Sequence, residues 1–150
     1  DWSWGSNGVA ANEGVALLQA FRLTADSSYL DAAVAALDYL LGRNPTGYSF
    51  VTGYGAKTPH SPHHRPSASD TVAAPVPGLL VGGPNPGQQD RCAGYPSRLP
   101  ALSYLDDVCA YASNEIAINW NAPFAYLALA IDAIYNHGTA RRPPRTASAH

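Results

Sequence analysis

The chain has 150 residues, a length suited to one domain, with 46% hydrophobic and 13% charged residues. It is apolar enough to bury a core and carries about half the charged fraction of an average soluble domain. A net charge of −2 without a basic run in the body excludes a nucleic-acid groove, and no apolar stretch reaches the roughly 18 residues needed to span a bilayer.

The opening Asp1-Trp2-Ser3-Trp4 shows no secretory leader and reads as the interior of a longer protein. From Gly5, Ser6 or Asn7 offers a cap, and Val9, Ala10, Glu13, Leu17, Ala20 and Phe21 recur near helical spacing. That pattern predicts a helix over about 8–23. A polar connector follows, in which Asp26 or Ser27 can cap a second helix over 28–41. Its stripe is Leu30, Ala33, Val34, Leu37, Leu40 and Leu41. Gly42 ends that helix and Pro45 blocks its continuation. Two helices joined this way form an antiparallel pair, the unit of bundles, solenoids and α/α barrels.

From Arg43 to about Pro100 helical periodicity disappears, and Gly, Pro, Asn and His punctuate the chain. Short strands are expected at Tyr48–Thr52 and Leu79–Val81. So long a loop inside a compact domain is usually functional. Pro62-His63-His64-Arg65 places imidazoles beside a forked cation, a set suited either to sugar hydroxyls or to satisfying the loop's own backbone. As a metal site the adjacent histidines are poor, because no third ligand is evident. Asp70 is a lone loop acid: a turn-former, or one ligand of a calcium site completed by backbone carbonyls. Leu80-Val81-Gly82-Gly83-Pro84-Asn85 is glycine-rich but lacks the Lys-Ser/Thr of a phosphate cradle. No nucleophile elbow is present. Cys92 and Cys109 are too few for a disulfide framework; one loop disulfide and two free thiols both fit.

The stretch Tyr104–Ala122 contains Asp106, Asp107 and an isolated Glu115. Ser113 and Asn114 read as caps of a final helix from Asn114 to about Asn136, kinked at Pro123. Glu115 would then stand in the first turn, where the helix dipole favours a carboxylate. It reads there either as a capping acid or as a tunable proton donor.

Five stretches taken in order give the chain a likeness. They are W-G-S-N at 4–7, D-Y-L-L-G-R-N-P-T-G-Y-S-F-V-T-G-Y-G at 38–55 and P-H-H-R at 62–65. P-G-L-L-V-G-G-P-N at 77–85 and Y-L-D-D-V-C-A-Y-A-S-N-E-I-A-I-N-W-N-A-P at 104–123 complete the set. Together they resemble glycoside hydrolase family 9, the inverting endoglucanases and cellobiohydrolases. The resemblance implies an all-α fold, the C-terminal portion of an (α/α)6 barrel with about three long helices and a long Gly/Pro-rich loop region. Residues 1–138 would be that segment of the catalytic domain and 139–150 a tail or linker.

It further implies a secreted cellulase acting on β-1,4-glucan, with Glu115 as general acid and Asp106 as a supporting carboxylate near it. His63 and Arg65 would bind substrate near the cleaved bond, and Trp120 would line the sugar site. Asp70 falls where some members hold calcium; no cofactor is required for the chemistry. The family's general base belongs to a D-A-G-D type motif, and no such motif occurs in the chain. Its partner is therefore the remaining N-terminal part of the domain. Residues 1–150 alone are expected to fold poorly and to lack cellulase activity. The alternative is a non-catalytic glucan-binding fragment, and a third reading is a helical scaffold whose middle loop is merely structural.

Overall fold

A computed structural model describes residues 2–137; the expected tail at 139–150 lies outside the described residues. Three long helices carry the fold: α1 (Ser6–Thr24), α2 (Ser27–Leu40) and α5 (Ile118–Asp132). Two short ones, α3 (Arg65–Ser69) and α4 (Tyr111–Asn114), lie in the loop region. α1 packs against both α2 and α5, and α2 touches α5 at fewer points. The expectation of an all-α fold with three long helices is met.

Helix starts and stops follow local chemistry. Asp26 caps α2, its carboxylate accepting from the Ser28 amide at 2.9 Å. Leu41 ends α2, and Gly42 turns the chain away at a φ of 121° that residues with a Cβ rarely adopt.

α1 departs from expectation in two ways. Ser6 and Asn7 lie within the helix rather than capping it. The Ser6 hydroxyl donates to the Pro84 carbonyl at 2.8 Å and the Asn7 amide to the Val81 carbonyl at 2.9 Å. The buried face is also not the Val9–Leu17 stripe: it is Asn7, Ala11, Gly14 and Leu18. These small and polar residues are buried because neighbours approach closely. A Cβ on Gly14 would stand 2.7 Å from Leu127 Cδ2 of α5.

The middle region is anchored as well as irregular. Phe50, Val51, Leu80, Val81 and Tyr104 join the helical core formed by Leu18, Ala33, Leu40 and Leu127. Tyr104 meets Phe50 edge-on at 5.1 Å. The short strands expected at Tyr48–Thr52 and Leu79–Val81 do not form among the described residues; the two segments meet through an isolated antiparallel bridge between Val51 and Leu80. Val81 then bridges Ile116, and Glu115 bridges His63. A narrow ladder of extended segments thus leads from the core to the surface.

The final helix is corrected. Instead of one helix from Asn114, α4 ends there, Glu115 to Ala117 run extended, and α5 begins at Ile118. The cause is long-range pairing of the backbone. The amides of Gly82 and Gly83 donate to the carbonyls of Glu115 and Ser113, and the His63 amide donates to Asn114. Carbonyls spent on neighbouring extended segments are not available to continue a helix. α5 runs on through Pro123 and ends in a π-helical turn, Ala133–His137.

Cys92 and Cys109 form a disulfide, Cα to Cα 5.8 Å. With Asp107 they make the one cluster of three metal-capable side chains among the described residues, but both sulfurs are bonded to each other.

Candidate active site

Glu115 and His63 are neighbours on the outermost rung of the ladder, paired as a parallel bridge. Glu115 is half-buried and extended, so the expectation of a carboxylate in a first helical turn is corrected: no helix starts at its position. Its Oε2 accepts a hydrogen bond from the indole Nε1–H of Trp4 at 3.1 Å. Trp4 rests on the ring of Tyr111, centroids 5.4 Å apart, and His63 faces the same ring at 5.7 Å.

The His63 tautomer follows from its partner. Nδ1 lies 2.7 Å from the Val108 carbonyl, which only accepts, so Nδ1 carries the hydrogen. Nε2 is then the acceptor nitrogen of the neutral ring. His64 turns elsewhere, its Nδ1 on the Ser67 hydroxyl at 2.8 Å. Arg65, the first residue of α3, is exposed, and among the described residues its guanidinium makes no hydrogen bond or ion pair.

Asp106 works on the backbone. Its two oxygens accept from the amides of His60 at 2.8 Å and Ser61 at 2.9 Å, and Oδ1 also takes the Asn114 amide at 3.2 Å. Asn114, fully buried, donates to the Ser61 carbonyl at 2.8 Å and accepts from the Tyr104 hydroxyl at 2.6 Å. Burial first, then the negative charge of Asp106, holds the Tyr104 phenol well above its ordinary range, so it remains a donor at physiological pH. Asp106 and Asn114 therefore fix the segment entering His63 against the segment entering Glu115. Asp106, expected as a supporting carboxylate near Glu115, thus holds the backbone at His60 and Ser61 and the buried Asn114 side chain.

Asp90 is a comparable anchor. It accepts from the Cys92 amide, the Ala112 amide and the Tyr95 hydroxyl at 2.9, 2.8 and 2.7 Å. Burial and that carboxylate raise the Tyr95 phenol above its usual range.

Two expected site residues have other immediate neighbours. Trp120 sits on α5 with its indole wedged against the start of α1. A Cβ on Gly5 would stand 2.5 Å from Trp120 Nε1, and one on Gly82 3.2 Å from Cζ3. The ring packs between the start of α1 and the extended segment at Gly82. Asp70 closes its own turn, accepting from the Val72 amide at 3.0 Å. It belongs to no cluster of three metal-capable side chains among the described residues.

Sequence reasoning missed Trp4 and Tyr111 as members of this cluster. Their signal was faint: an indole and a phenol flanking the chain's isolated polar motifs, joined only in three dimensions.

The family model described as "Glycosyl hydrolase family 9" matches residues 1–128. The chain is 52% identical over 135 residues to a xyloglucan-specific endo-beta-1,4-glucanase of Bacteroides ovatus, covering 89% of this chain and 23% of that protein. It is 38% identical over 139 residues to a cellulose 1,4-beta-cellobiosidase of Acetivibrio thermocellus, covering 89% and 16%. Among solved structures it resembles that of AaCel9A in complex with cellobiose-like isofagomine. The TM-score is 0.76 with 42% identity, covering 86% of this chain and 25% of that one. The chain thus spans no more than a quarter of the length of these relatives.

Proposed function

This chain belongs to glycosyl hydrolase family 9, and from that premise we propose that it supplies the proton-donating half of an inverting β-1,4-glucan hydrolase, with Glu115 as general acid. Its fold is all-α, a fragment of the (α/α)6 barrel of its structural neighbours. The observation that carries the proposal is the backbone bridge between Glu115 and His63, which brings the two residues onto one rung. With Oε2 held by the Trp4 indole, Oε1 is left to exchange a proton with the substrate.

In the step proposed, Glu115 gives its proton to the leaving glycosidic oxygen as the bond from that oxygen to the anomeric carbon breaks. The bonding pair stays with the oxygen. Inversion requires a second carboxylate about 6.5–9.5 Å away to activate water on the opposite face. We assign that base to a part of the enzyme outside residues 1–150, since no D-A-G-D type motif stands among them. His63 Nε2 is available to accept from a sugar hydroxyl, and the exposed Arg65 fork to donate to one. Asp106 and Asn114 hold the two segments in register.

The relatives named for xyloglucan and cellulose share a β-1,4-linked glucose backbone, and we take that backbone as the substrate. The Cys92–Cys109 disulfide supports an exported protein, since such bonds persist in oxidising compartments.

The test is Glu115→Gln in the complete enzyme. Turnover of glucan should fall by about 100- to 10,000-fold while binding to insoluble cellulose is retained. Unchanged turnover would remove Glu115 from the acid role and favour a glucan-binding fragment.

A further inference from the structure

We propose that Trp4 is a positioning residue that gives the two oxygens of Glu115 separate tasks: the indole N–H holds Oε2, and Oε1 carries the proton that is transferred. The inference rests on the reading of Glu115 as general acid.

Indole nitrogen only donates. In the protonated acid the carbonyl-type oxygen is the better acceptor, so a donor fixed on Oε2 leaves the hydrogen on Oε1. The 3.1 Å separation lies within the ordinary N–H···O range. A carboxyl group without such a tether can exchange its two oxygens by a half-turn about the last side-chain bond. The tether removes that freedom, so each encounter with substrate presents the same oxygen.

The contact spans 111 positions of sequence, so local chain geometry does not produce it. It depends on how the start of α1 is seated. Gly5, at a left-handed φ of 83°, turns the chain into the helix directly after Trp4, and the Trp120 indole packs beneath it. The Ser6 amide closes that turn on the Ser3 carbonyl at 3.0 Å. Tyr111 supplies the other side: its ring carries Trp4 and His63 at once. Indole, phenol and imidazole thus share one scaffold at the start of α4, and Glu115 follows directly at its end.

The hydrogen bond also gains strength along the reaction. As the proton leaves Oε1 for the glycosidic oxygen, negative charge develops on the carboxylate while the C–O bonding pair passes to the leaving oxygen. An N–H already aimed at Oε2 becomes a charge-assisted donor without reorganising. An interaction stronger in the transition state than in the ground state raises kcat rather than lowering KM.

The experiment uses the complete enzyme and two substrates: unactivated β-1,4-glucan, and a dinitrophenyl β-cellobioside whose leaving group departs without a proton. Trp4→Phe keeps a ring against Tyr111 and removes the donor. Its kcat on glucan should fall about 10- to 100-fold with KM changed less than about twofold. Its kcat on the dinitrophenyl substrate should stay within about threefold of the parent, as should its thermal midpoint within a few degrees. Trp4→His, whose ring N–H can donate in the same place, should recover part of the glucan activity. Equal losses on both substrates, or no loss on either, would overturn the inference. Glu115→Gln measured alongside separates the two readings. Selective loss of glucan activity in Glu115→Gln but not in Trp4→Phe rejects the role of Trp4 alone. Loss by Glu115→Gln on both substrates equally rejects Glu115 as proton donor, and with it the role given to Trp4.

Discussion

The α1–α2 hairpin and the irregular span from Gly42 to Ala117 are held by different means. The hairpin buries Ala11, Leu18, Ala33 and Leu40, and its own backbone satisfies most of its polar groups. The irregular span has little regular backbone pairing. Asp90, Asp106, Asn85 and Asn114 instead reach across the sequence to hold amides and carbonyls of other segments. The hairpin is specified by apolar area and the span by placed polar atoms. It is the second region that carries Glu115 and His63. A site needing fixed geometry at a surface is better served by directional bonds than by a stripe, at the cost of leaving nothing periodic to read.

Two substitutions would separate these regimes. The larger effect on stability is expected from Leu18→Ala, in the fully buried stripe of α1. Deleting that side chain should destabilise the complete enzyme by about 2–5 kcal/mol. Turnover per folded molecule should stay near the parent value well below the melting transition. Denaturant unfolding with parallel kinetics checks both; a fall in kcat at low temperature would show that the hairpin shapes the site directly.

Asn114→Ala should cost about 2–3 kcal/mol, because the Tyr104 hydroxyl and the Ser61 carbonyl lose their partner inside the protein. Here the function should suffer beyond the stability. With the Ser61 carbonyl unheld, only the Asp106 and backbone bonds keep the segment leading to His63 against Glu115, and kcat/KM on glucan should fall at least tenfold in molecules that remain folded. If Asn114→Ala lost only stability, the polar network would be a packing device like the hairpin, and the contrast would disappear.

What the sequence made legible follows the same division. The α2 stripe was readable because Leu30, Ala33, Leu37 and Leu40 repeat at helical spacing, and Asp26 announced its cap. The buried face of α1 was not, since Asn7, Gly14 and Ser6 look like surface residues until Leu127 and the Val81–Pro84 carbonyls are seen against them. The residues around Glu115 read as the start of a helix, whereas its backbone is extended. Its extended backbone is imposed by Gly82 and His63, each distant in sequence, and propensity cannot report such a partner. The same distance hid Trp4. The pairing of Cys92 with Cys109 was open from residue counts and is closed by the fold. That Asp106 anchors amides was not legible, because its donors are loop backbone atoms 45 and 46 positions away.

We propose that the Glu115–His63 rung is the acid half of a hydrolytic site completed from outside this chain. The most direct measurement is a crystal structure of the complete protein, with an inactivating substitution in its base, bound to a cello-oligosaccharide across the cleavage point. The account predicts Glu115 Oε1 within hydrogen-bond distance of the glycosidic oxygen, Oε2 on Trp4, and His63 Nε2 on a sugar hydroxyl. A carboxylate from outside residues 1–150 should stand about 6.5–9.5 Å from Glu115 across the ring. A sugar bound with its glycosidic oxygen out of reach of Glu115, or a second carboxylate supplied from within residues 1–150, would contradict it.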